Sequence, residues 1–450
     1  MAPKKILLLG SGFVAAPCAE YLARDPANTL TVACRTLSSA SALCAPLPRA
    51  SPLVLDVAAT DPTALEAAVA AHDLVISLVP YTHHAAVVQA AIKGKTHVVT
   101  TSYISPALHA LDGAARAAGI VVLNEAGLDP GIDHLSAVKI IGDVHAKGGK
   151  VREFHLQCGA LPAPDCADNP LGYKFSWSPR GGLLALLNSA SFLANGAVTH
   201  VAGADLMASA QPCAIASFAP ALEAFPNRDS VPFRAFYRIP EAHTVVRGTL
   251  RYVGFAAFMA ALGKTGWLAA DVKEWLVDGL EWREATQRAV GASASDEDAL
   301  IARIKEVCAF PSDSESARII SGMRWMGLFS PEKLVVRGGT LLDTLCAHLE
   351  VLMKYQPGER DLVLLQQKFV VEWADGKEET ITATLEEYGT PGGHSAMART
   401  VGVPCGIATQ LVLDGMFSTP GVHAPYSKEF CDPIREKLES EGLRLTERIL

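Results

Sequence analysis

The strongest constraint on the fold of this chain is a short apolar run that breaks into a glycine-rich turn within its first fifteen residues. Ile6–Leu9 has the composition of a buried parallel strand, and the sequence Gly10-Ser11-Gly12-Phe13-Val14-Ala15 follows it with the spacing G-x-G-x-x-G/A. Gly10 permits a tight turn, Gly12 lets a phosphate approach the backbone, and Ala15 allows a helix to pack closely on the strand. Because the first N–H groups of a helix bind phosphate, the pattern predicts a dinucleotide site. Its predicted residues are Gly10, Ser11, Gly12, Phe13 and Val14. An ordinary strand-to-helix turn is the alternative interpretation.

Further apolar runs alternate with helix signals up to residue 123. The dipeptides Asp61-Pro62 and Ser105-Pro106 each place a good N-cap residue before a proline, as at the start of a helix. Such alternation indicates right-handed crossovers and a parallel sheet with helices on both faces, which is an α/β Rossmann domain. The predicted strands after the first are Leu30–Cys34, Leu53–Val57, Leu74–Val79, His97–Thr100 and Ile120–Leu123.

The pattern changes near Gly148-Gly149, which we expect to end a helix. Alternating runs at 151–158, 247–252, 362–373 and 378–386 predict a second, antiparallel-rich sheet, with a hairpin at Asp375-Gly376. The region 265–352 has mostly helical patterns, for example at 270–276, and a further helix is predicted at 402–417. The expected domains are a dinucleotide-binding Rossmann domain at 1–130 to which 390–450 returns, a mixed α/β substrate and dimerisation domain at 131–264 and 353–389, and a small inserted helical domain at 265–352.

The residues at the end of the second strand indicate whether the chain binds NAD or NADP. NAD-binding chains usually place an acidic residue there to bind the ribose 2′-hydroxyl, whereas this chain has Cys34-Arg35-Thr36. An arginine can form a forked contact with a 2′-phosphate, so we predict NADP(H), with Arg35 on that phosphate. A solvated surface arginine is the alternative.

The remaining coenzyme contacts are expected beyond the carboxyl ends of the strands, where open parallel sheets bind ligands. Ser77 and Val79 would flank the ribose on the nicotinamide side, and Leu128-Asp129-Pro130 would close over the nicotinamide. The full predicted coenzyme set adds to the glycine turn the residues Cys34, Arg35, Thr36, Asp56, Ser77, Leu78, Val79, Thr101, Ser102, Leu128, Asp129 and Pro130.

The net charge and the cysteine pattern restrict the kinds of partner and the cellular compartment expected for the chain. A net charge of −8 argues against a nucleic-acid-binding surface, and no membrane span or signal peptide is expected from the apolar runs. The ten cysteines include no C-x-x-C pair, which favours free thiols in a cytoplasmic setting. No Cys or His cluster has the spacing of a metal site, so no metal is expected.

Several longer motifs resemble those of a known family, the fungal saccharopine reductases, which are NADP-dependent, glutamate-forming saccharopine dehydrogenases of lysine synthesis. The resemblance covers nearly the whole chain and is most specific in its middle segments. It rests on the segments 10–15, Val79-Pro80-Tyr81-Thr82-His83-His84, 125–134 (EAGLDPGIDH), 174–182 (KFSWSPRGG), 226–230 (PNRDS) and 246–252 (VRGTLRY).

The resemblance implies a reaction and an assembly. Glutamate would condense with 2-aminoadipate 6-semialdehyde, and NADPH would reduce the resulting imine to saccharopine. It also implies a Rossmann domain, a mixed α/β substrate domain, a small helical domain and a homodimer.

A site for saccharopine, which has three carboxylates, needs cations, and arginine suits carboxylates through its two-pronged geometry. Among the arginines at 228–251 we favour Arg228 and Arg247, with Thr249 on the strand face of Arg247; a structural ion pair is the alternative for each. Asp129 would hold a substrate ammonium, or cap a helix that begins at Pro130. The full predicted substrate set is Ser102, Tyr103, Asp129, Trp177, Arg228, Arg247 and Thr249.

No residue is predicted as the acid–base catalyst. An iminium is already electrophilic, so catalysis would consist mainly of placing the nicotinamide beside the imine carbon. His134 and His243 are titratable but are better interpreted as structural, and His83-His84 as a turn element. Two alternative functions stay open at this point: a reductase of another amine and aldehyde pair, of the carboxynorspermidine type, and an NADP-sensing regulator without turnover.

Overall fold

The structure is a computed structural model that describes residues 3–59 and 61–450. In its first third, strands and helices alternate, as predicted. These elements are β1 (Lys4–Leu9), α1 (Ala15–Ala23), β2 (Asn28–Cys34), α2 (Leu37–Cys44), β3 (Ala50–Val54), α3 (Thr63–Ala70), β4 (Leu74–Ser77), α4 (His84–Gly94), β5 (His97–Thr100), α5 (Pro106–His109), α6 (Asp112–Ala118), β6 (Val121–Leu123) and α7 (Ile132–Ala146).

The remaining two thirds contain longer strands and a run of helices. These elements are β7 (Lys150–Pro162), α8 (Pro179–Ala185), β8 (Ala190–Ala194), β9 (Ala197–Val201), β10 (Gln211–Cys213), β11 (Leu222–Pro226), α9 (Phe233–Phe236), β12 (Thr244–Tyr252), α10 (Phe255–Lys264), α11 (Trp282–Val290), α12 (Glu297–Cys308), α13 (Asp313–Trp325), α14 (Leu341–Leu352), β13 (Asp361–Glu372), β14 (Glu378–Tyr388), α15 (Ala396–Leu413), β15 (Gly421–His423), α16 (Lys428–Ser440) and β16 (Thr446–Ile449).

The chain divides into two compact units. The first unit contains the described residues of Met1–Glu153, Phe233–Ala242 and Gln367–Leu450, and the second contains Phe154–Pro232 and His243–Gln366. The long strands β7 and β13 run through both units. The three predicted domain ranges stay a prediction.

A seven-stranded parallel sheet forms the centre of the first unit. Its strand order is β15-β6-β5-β4-β1-β2-β3, so the order reverses between β1 and β4, where an open α/β sheet binds its ligand. Strands β1, β4 and β5 are buried on both faces because helices cover both sides, which is why they are continuous apolar runs in the sequence. The predicted α/β Rossmann fold is confirmed, and β15 adds a strand from the end of the chain.

Strand β3 lies three residues before its predicted position. It pairs with β2 from Leu30 opposite Ala50 to Cys34 opposite Val54, at the edge of the sheet. Its residues are half-buried or exposed, so apolar composition does not mark it. The predicted run at 53–57 instead covers the end of the strand and the turn after it.

In the second unit, antiparallel strands and helices build the fold. The strand order is β10-β11-β12-β7, with β8 beside β12 and β9 beside β8. Helices α10–α14 surround a core that includes Phe258, Trp267 and Leu345. The predicted helical segment at 270–276 is wrong in detail, because these residues form turns in which the Lys273 N–H donates to the Gly339 carbonyl rather than to a carbonyl four residues back.

The rest of the first unit contains the predicted hairpin and a long apolar helix. Gly376 has a φ of +80°, and the Trp373 N–H donates to the Lys377 carbonyl between β13 and β14. The helix predicted at 402–417 runs instead from Ala396 to Leu413, because the Ser395 hydroxyl accepts from the Ala398 N–H and begins the helix earlier. Among the described residues α15 alone is long and apolar enough to span a membrane, but 83% of it is buried and it packs against α1 as a core helix.

Candidate active site

The glycine turn has the backbone geometry that a dinucleotide requires. Gly10 has a φ of +105°, and a β-carbon there would lie 3.0 Å from the Leu78 carbonyl oxygen, so no larger residue fits between β1 and the end of β4. A β-carbon at Gly12 would meet nothing within 4 Å, which leaves the backbone open to a phosphate. Helix α1 begins at the buried Ala15 without a side-chain cap, and the Ala15 N–H donates to the Gly12 carbonyl at 3.1 Å. The backbone N–H groups of the turn that leads into this helix start are those placed to donate to a phosphate oxygen. Ser11 and Val14 are half-buried and Phe13 is exposed beside this opening.

The residues after β2 and β3 lie in neighbouring loops, because Cys34 and Val54 are paired at the ends of these strands. Arg35 is exposed directly after β2, and the Cys34 thiol donates to the Thr36 carbonyl at 3.0 Å. Asp56 is exposed and accepts from the Ala58 N–H at 3.0 Å, so it already stabilises its own turn. The one cation in these two adjacent loop segments, 35–36 and 55–57, is thus placed where a 2′-phosphate would be expected.

The ends of β4 and β5 carry a bridge that the sequence interpretation missed. Ser77 lies opposite Thr100 at the ends of these paired strands. His84, the first residue of α4, places its Nδ1 at 2.8 Å from the Ser77 Oγ and its Nε2 at 2.9 Å from the Ser102 Oγ. Burial, with a smaller contribution from His83, lowers the pKa of His84 to about 4, so its ring is neutral at physiological pH.

As expected, His83-His84 lies where α4 begins: Tyr81–His83 forms a 3₁₀ turn and His84 is the first helical residue. The contacts of the His84 ring with Ser77 and Ser102 go beyond those of a turn element. A signal for this role exists in the sequence. His84, Val87, Val88 and Ala91 share the helical spacing of the buried face of α4. A histidine on such a face must find hydrogen-bond partners inside the protein.

The turn after β6 presents the predicted residues Leu128, Asp129 and Pro130. The Tyr103 hydroxyl donates to the Asp129 carboxylate at 2.5 Å, so two predicted substrate residues are in contact. Asp129 is half-buried, whereas Leu128 and Pro130 are buried. The alternative in which Asp129 caps a helix at Pro130 is wrong, because α7 begins at Ile132 and the Asp133 carboxylate accepts from the Gly131 N–H at 2.6 Å.

A buried hydrogen-bonded cluster supports this turn. The His134 Nε2 lies 2.9 Å from the Glu125 carboxylate and its Nδ1 lies 2.7 Å from the Tyr237 hydroxyl. The Tyr426 hydroxyl also donates to Glu125, at 2.7 Å. Burial on its own would raise the pKa of Glu125, but the hydrogen bonds from His134, the Ile104 N–H and Tyr426 lower it overall. We name Glu125, His134, Tyr237 and Tyr426 the buried cluster; the interpretation of His134 as a structural residue agrees with these contacts.

In the second unit, β12 and the loop after β11 hold the predicted arginines. Arg247 is buried, its N–H donates to the Ser230 hydroxyl at 3.0 Å, and its carbonyl accepts from the Asn227 N–H at 2.8 Å. These two hydrogen bonds join the loop that carries Arg228 to β12. Arg228 itself is exposed and has a φ of +54°. Within this unit the structure thus brings the segments of Arg228 and Arg247 together.

Thr249 and Trp177 are the two remaining members of the predicted substrate set, and Arg251 is a nearby arginine on β12 that was not included in it. Thr249 is half-buried and paired with Phe225. Trp177 is half-buried and packs against Gly181 and Gly182. Arg251 instead stacks its guanidinium on the rings of Tyr173 and Phe255, at 4.8 and 5.2 Å, which is a structural role.

Two family models together match almost the whole chain. Residues 6–123 match the model described as the saccharopine dehydrogenase NADP binding domain. Residues 127–443 match the model described as the saccharopine dehydrogenase C-terminal domain. The first match covers the glycine turn, Arg35, Ser77 and Ser102, and confirms the prediction of an NADP(H) coenzyme.

The sequences of individual relatives align with this chain over their full length. The chain is 52% identical to saccharopine dehydrogenase [NADP(+), L-glutamate-forming] of Pyricularia oryzae over 455 residues, which is 100% of each chain. It is also 52% identical to the enzyme of the same name from Saccharomyces cerevisiae, over 99% of each chain. The solved apo structure of saccharopine dehydrogenase (L-Glu forming) from Saccharomyces cerevisiae superposes with a TM-score of 0.90 at 51% identity, over 99% of this chain and 100% of that chain. The chain therefore belongs to the saccharopine dehydrogenase family.

Proposed function

We propose that this protein is an NADP-dependent, glutamate-forming saccharopine dehydrogenase that acts in lysine biosynthesis. L-Glutamate and L-2-aminoadipate 6-semialdehyde lose water to form an imine, and the imine carbon then accepts a hydride while its nitrogen takes a proton, which yields saccharopine. The reverse reaction oxidises saccharopine. The observation that carries the proposal is the match of more than half of all residues, over the full length of both chains, to two fungal enzymes with this name.

The first unit provides the proposed coenzyme site. NADPH supplies the hydride when bound. The backbone of 10–14 and the start of α1 would bind its pyrophosphate, and Arg35 would bind its 2′-phosphate. Val79, Thr101 and Ser102 would position the nicotinamide half from the ends of β4 and β5, with Leu128-Asp129-Pro130 closing over it. Ser77, also predicted as a coenzyme contact, is fully buried, and its hydroxyl is hydrogen-bonded to His84.

The substrate contacts are proposed from charge and hydrogen bonding. Arg228 and Arg247 would each bind a carboxylate of saccharopine, and Asp129 would bind an ammonium group. Tyr103 orients the Asp129 carboxylate through their 2.5 Å hydrogen bond, so the two would act on the substrate together. Thr249 and Trp177 would complete the substrate contacts.

The decisive experiment follows NADPH oxidation with glutamate and 2-aminoadipate 6-semialdehyde. We expect turnover that requires both compounds and yields saccharopine, together with NADP⁺ reduction when saccharopine is supplied instead. Parallel assays replace glutamate by diamines and other amino acids. Preferred turnover of a diamine would point to a carboxynorspermidine-type reductase, and tight NADPH binding without turnover of any pair would point to a regulator; either result overturns the proposal.

The proposal also includes the oligomeric state of the protein and its location in the cell. We propose a homodimer, because the family resemblance implies one, and sedimentation equilibrium of the purified chain should then give twice the mass of 47.6 kDa. We also propose a cytoplasmic location. All ten cysteines are free thiols, which suits a reducing compartment, and a fluorescent fusion in a fungal host tests the location.

A further inference from the structure

The bridge between Ser77 and Ser102 has consequences for hydrogen bonding that go beyond simple packing. His84 is only 1% exposed and Ser77 is fully buried, whereas Ser102 is half-buried at the carboxyl edge of the sheet. The two ring nitrogens of His84 therefore connect a buried hydroxyl to one that faces the proposed ligand site. We name Ser77, His84 and Ser102 the hydroxyl bridge.

The chemistry of a neutral imidazole restricts the bridge to two arrangements. One ring nitrogen carries a hydrogen and donates, and the other accepts. If Nδ1 donates to Ser77, the Ser102 hydroxyl must donate to Nε2 and offers only lone pairs to a ligand. If Ser77 donates to Nδ1, then Nε2 donates to Ser102, and the Ser102 hydrogen is free to point away from the bridge.

The surroundings of Ser77 favour the second arrangement. Its hydroxyl is buried and must place its hydrogen on an acceptor, and within the described parts of the chain the side-chain acceptor that the structure offers it is His84 Nδ1, at 2.8 Å. The Ser77 hydrogen therefore goes to Nδ1, and the hydrogen of His84 lies on Nε2, directed at the Ser102 oxygen 2.9 Å away.

We propose that His84 is a positioning residue that fixes the Ser102 hydroxyl as a hydrogen-bond donor toward an oxygen atom of the bound dinucleotide or substrate. The inference rests on the proposed function, because it takes the ligand site to lie at the ends of β4 and β5. The proposal specifies the direction of the hydrogen bond between Ser102 and the ligand. The Ser102 oxygen accepts from His84, and its hydroxyl donates to a ligand acceptor such as a ribose, amide or carboxylate oxygen; it does not accept a hydrogen bond from the ligand.

The first experiment measures whether His84 and Ser102 act as one unit. Variants His84→Leu, Ser102→Ala and the double variant are compared for the NADPH dissociation constant, by quenching of protein fluorescence, and for the KM and kcat with saccharopine. We expect each single variant to lose roughly tenfold in one of these constants, as for one lost hydrogen bond to a ligand, and the double variant to lose no more than Ser102→Ala alone.

The constant that changes identifies the source of the acceptor. A weaker NADPH dissociation constant measured without substrate places the acceptor on the coenzyme, and a raised KM for saccharopine with unchanged NADPH binding places it on the substrate. Both results support the proposal. Unchanged constants in Ser102→Ala, or losses in His84→Leu and Ser102→Ala that multiply in the double variant, overturn it.

Two further variants separate positioning from general stability. His84→Gln keeps an amide N–H near the place of Nε2 and should restore most of the lost binding, which a role in packing alone would not predict. His72 is the matched control, since both of its ring nitrogens are also hydrogen-bonded, to the Ala68 carbonyl at 2.7 Å and the Thr31 hydroxyl at 2.8 Å. His72→Leu should lower the unfolding temperature and leave both binding constants unchanged.

The tautomer supplies a test that is independent of activity. Nitrogen-15 spectra of the histidine-labelled NADPH complex, with the His84 signals assigned by their loss in His84→Gln, should show the hydrogen on Nε2. A hydrogen on Nδ1 would make Ser102 an acceptor and overturn the proposal. Should the wild-type enzyme fail to turn over glutamate and the semialdehyde, the proposed function fails, whereas the NADPH dissociation constants and the tautomer still test the hydroxyl bridge.

Discussion

Arg35 is the residue on which coenzyme choice should depend. It is exposed directly after β2, at a place where an acidic residue would repel a 2′-phosphate. A charge-assisted hydrogen bond contributes about 1.5–3 kcal/mol, so we expect Arg35→Ala to weaken NADPH binding by roughly ten- to a hundredfold. NADH binding should change little, because NADH has no phosphate at this position.

Titration calorimetry of both coenzymes measures this effect. Arg116→Ala is a suitable control, because Arg116 is an exposed arginine of the same unit that pairs with Asp112 at 2.8 Å on α6. It should bind NADPH like the wild type. Equal NADPH affinity in Arg35→Ala and in the wild type would mean that Arg35 is an ordinary surface residue.

Glu125 should make the stability of the protein depend on pH. Its pKa is lower in the folded protein than the roughly 4.3 of an unfolded chain, so its carboxylate stabilises the fold above about pH 4.3. This contribution is lost as the pH falls through the lowered folded value. The groups that face Glu125 are His134 and Tyr426, and the Asp133 carboxylate lies 3.5 Å from the His134 Nδ1.

We expect Glu125→Gln to reduce the free energy of unfolding by about 2–3 kcal/mol near neutral pH, since it replaces a buried carboxylate that is hydrogen-bonded to His134, Tyr426 and the Ile104 N–H. The difference from the wild type should shrink as the pH falls from about 4.3 through the lowered folded pKa of Glu125, where the carboxylate becomes protonated in the folded protein as well. Urea unfolding at several pH values measures it. Glu66→Gln breaks a partly exposed pair with Lys93 and should cost under about 1 kcal/mol; a similar small cost for Glu125→Gln would contradict a stabilising role of the buried cluster.

The positions of the proposed site residues were predictable where they follow from the local sequence. The glycine turn, Arg35 and the Asp129 turn each lie at the end of a predicted strand, so the fold rules place them. The buried cluster was not predictable, because the partners of Glu125 and His134 come from Tyr426 and Tyr237, 301 and 103 residues farther along the chain. Only tertiary structure brings such side chains together.

At the scale of elements, the turn between β6 and α7 is the tightest part of the site. Gly131 has a φ of +147°, and a β-carbon there would lie 2.0 Å from the Gly127 carbonyl oxygen. The Ile132 N–H donates to this same carbonyl at 2.9 Å, so the turn cannot widen without losing the start of α7. The turn that carries Leu128-Asp129-Pro130 therefore depends on a glycine at position 131.

We expect Gly131→Ala to cost more than about 3 kcal/mol of unfolding free energy, because the overlap adds to the backbone strain. Gly148→Ala is the matched control at the other end of α7. Gly148 has a φ of +77°, but nothing lies within 4 Å of its added β-carbon, so only about 1 kcal/mol of strain is expected. Equal costs for the two variants, measured by urea unfolding, would show that the close approach to Gly127 has no energetic effect.

Element boundaries were predictable where burial follows the local pattern, as in β5, which matches its predicted range. Two elements differ for identifiable reasons. The edge strand β3 has little apolar signal because its side chains are exposed or half-buried. Helix α15 continues through Pro404 and begins at Ala396, six residues before the predicted start at Gly402. The Ser395 cap that precedes Ala396, and not the apolar content of the helix, sets this boundary.

At the scale of the whole molecule, every predicted coenzyme residue belongs to the first unit, although the arginines proposed for the substrate belong to the second. The residues proposed to bind NADPH come from segments far apart in sequence, at the ends of β1, β2, β4 and β5 and in the turn after β6. A ligand that contacts all of these segments stabilises them jointly, by an amount set by its concentration relative to its dissociation constant.

Hydrogen–deuterium exchange of the full chain should therefore show a divided response to NADPH. At an NADPH concentration of about 100 times the dissociation constant, the free energy of unfolding of the first unit rises by about 2.7 kcal/mol. Amides of its sheet that exchange only when this unit unfolds should therefore exchange roughly a hundredfold more slowly. Peptides from α11–α14 in the second unit should change much less. The Arg35→Ala variant at the same NADPH concentration should lose most of the added protection, because its site is less occupied. Protection that appears first in α11–α14, with unchanged exchange around 10–15 and 74–79, would place the coenzyme outside the first unit and contradict the assignment of its site.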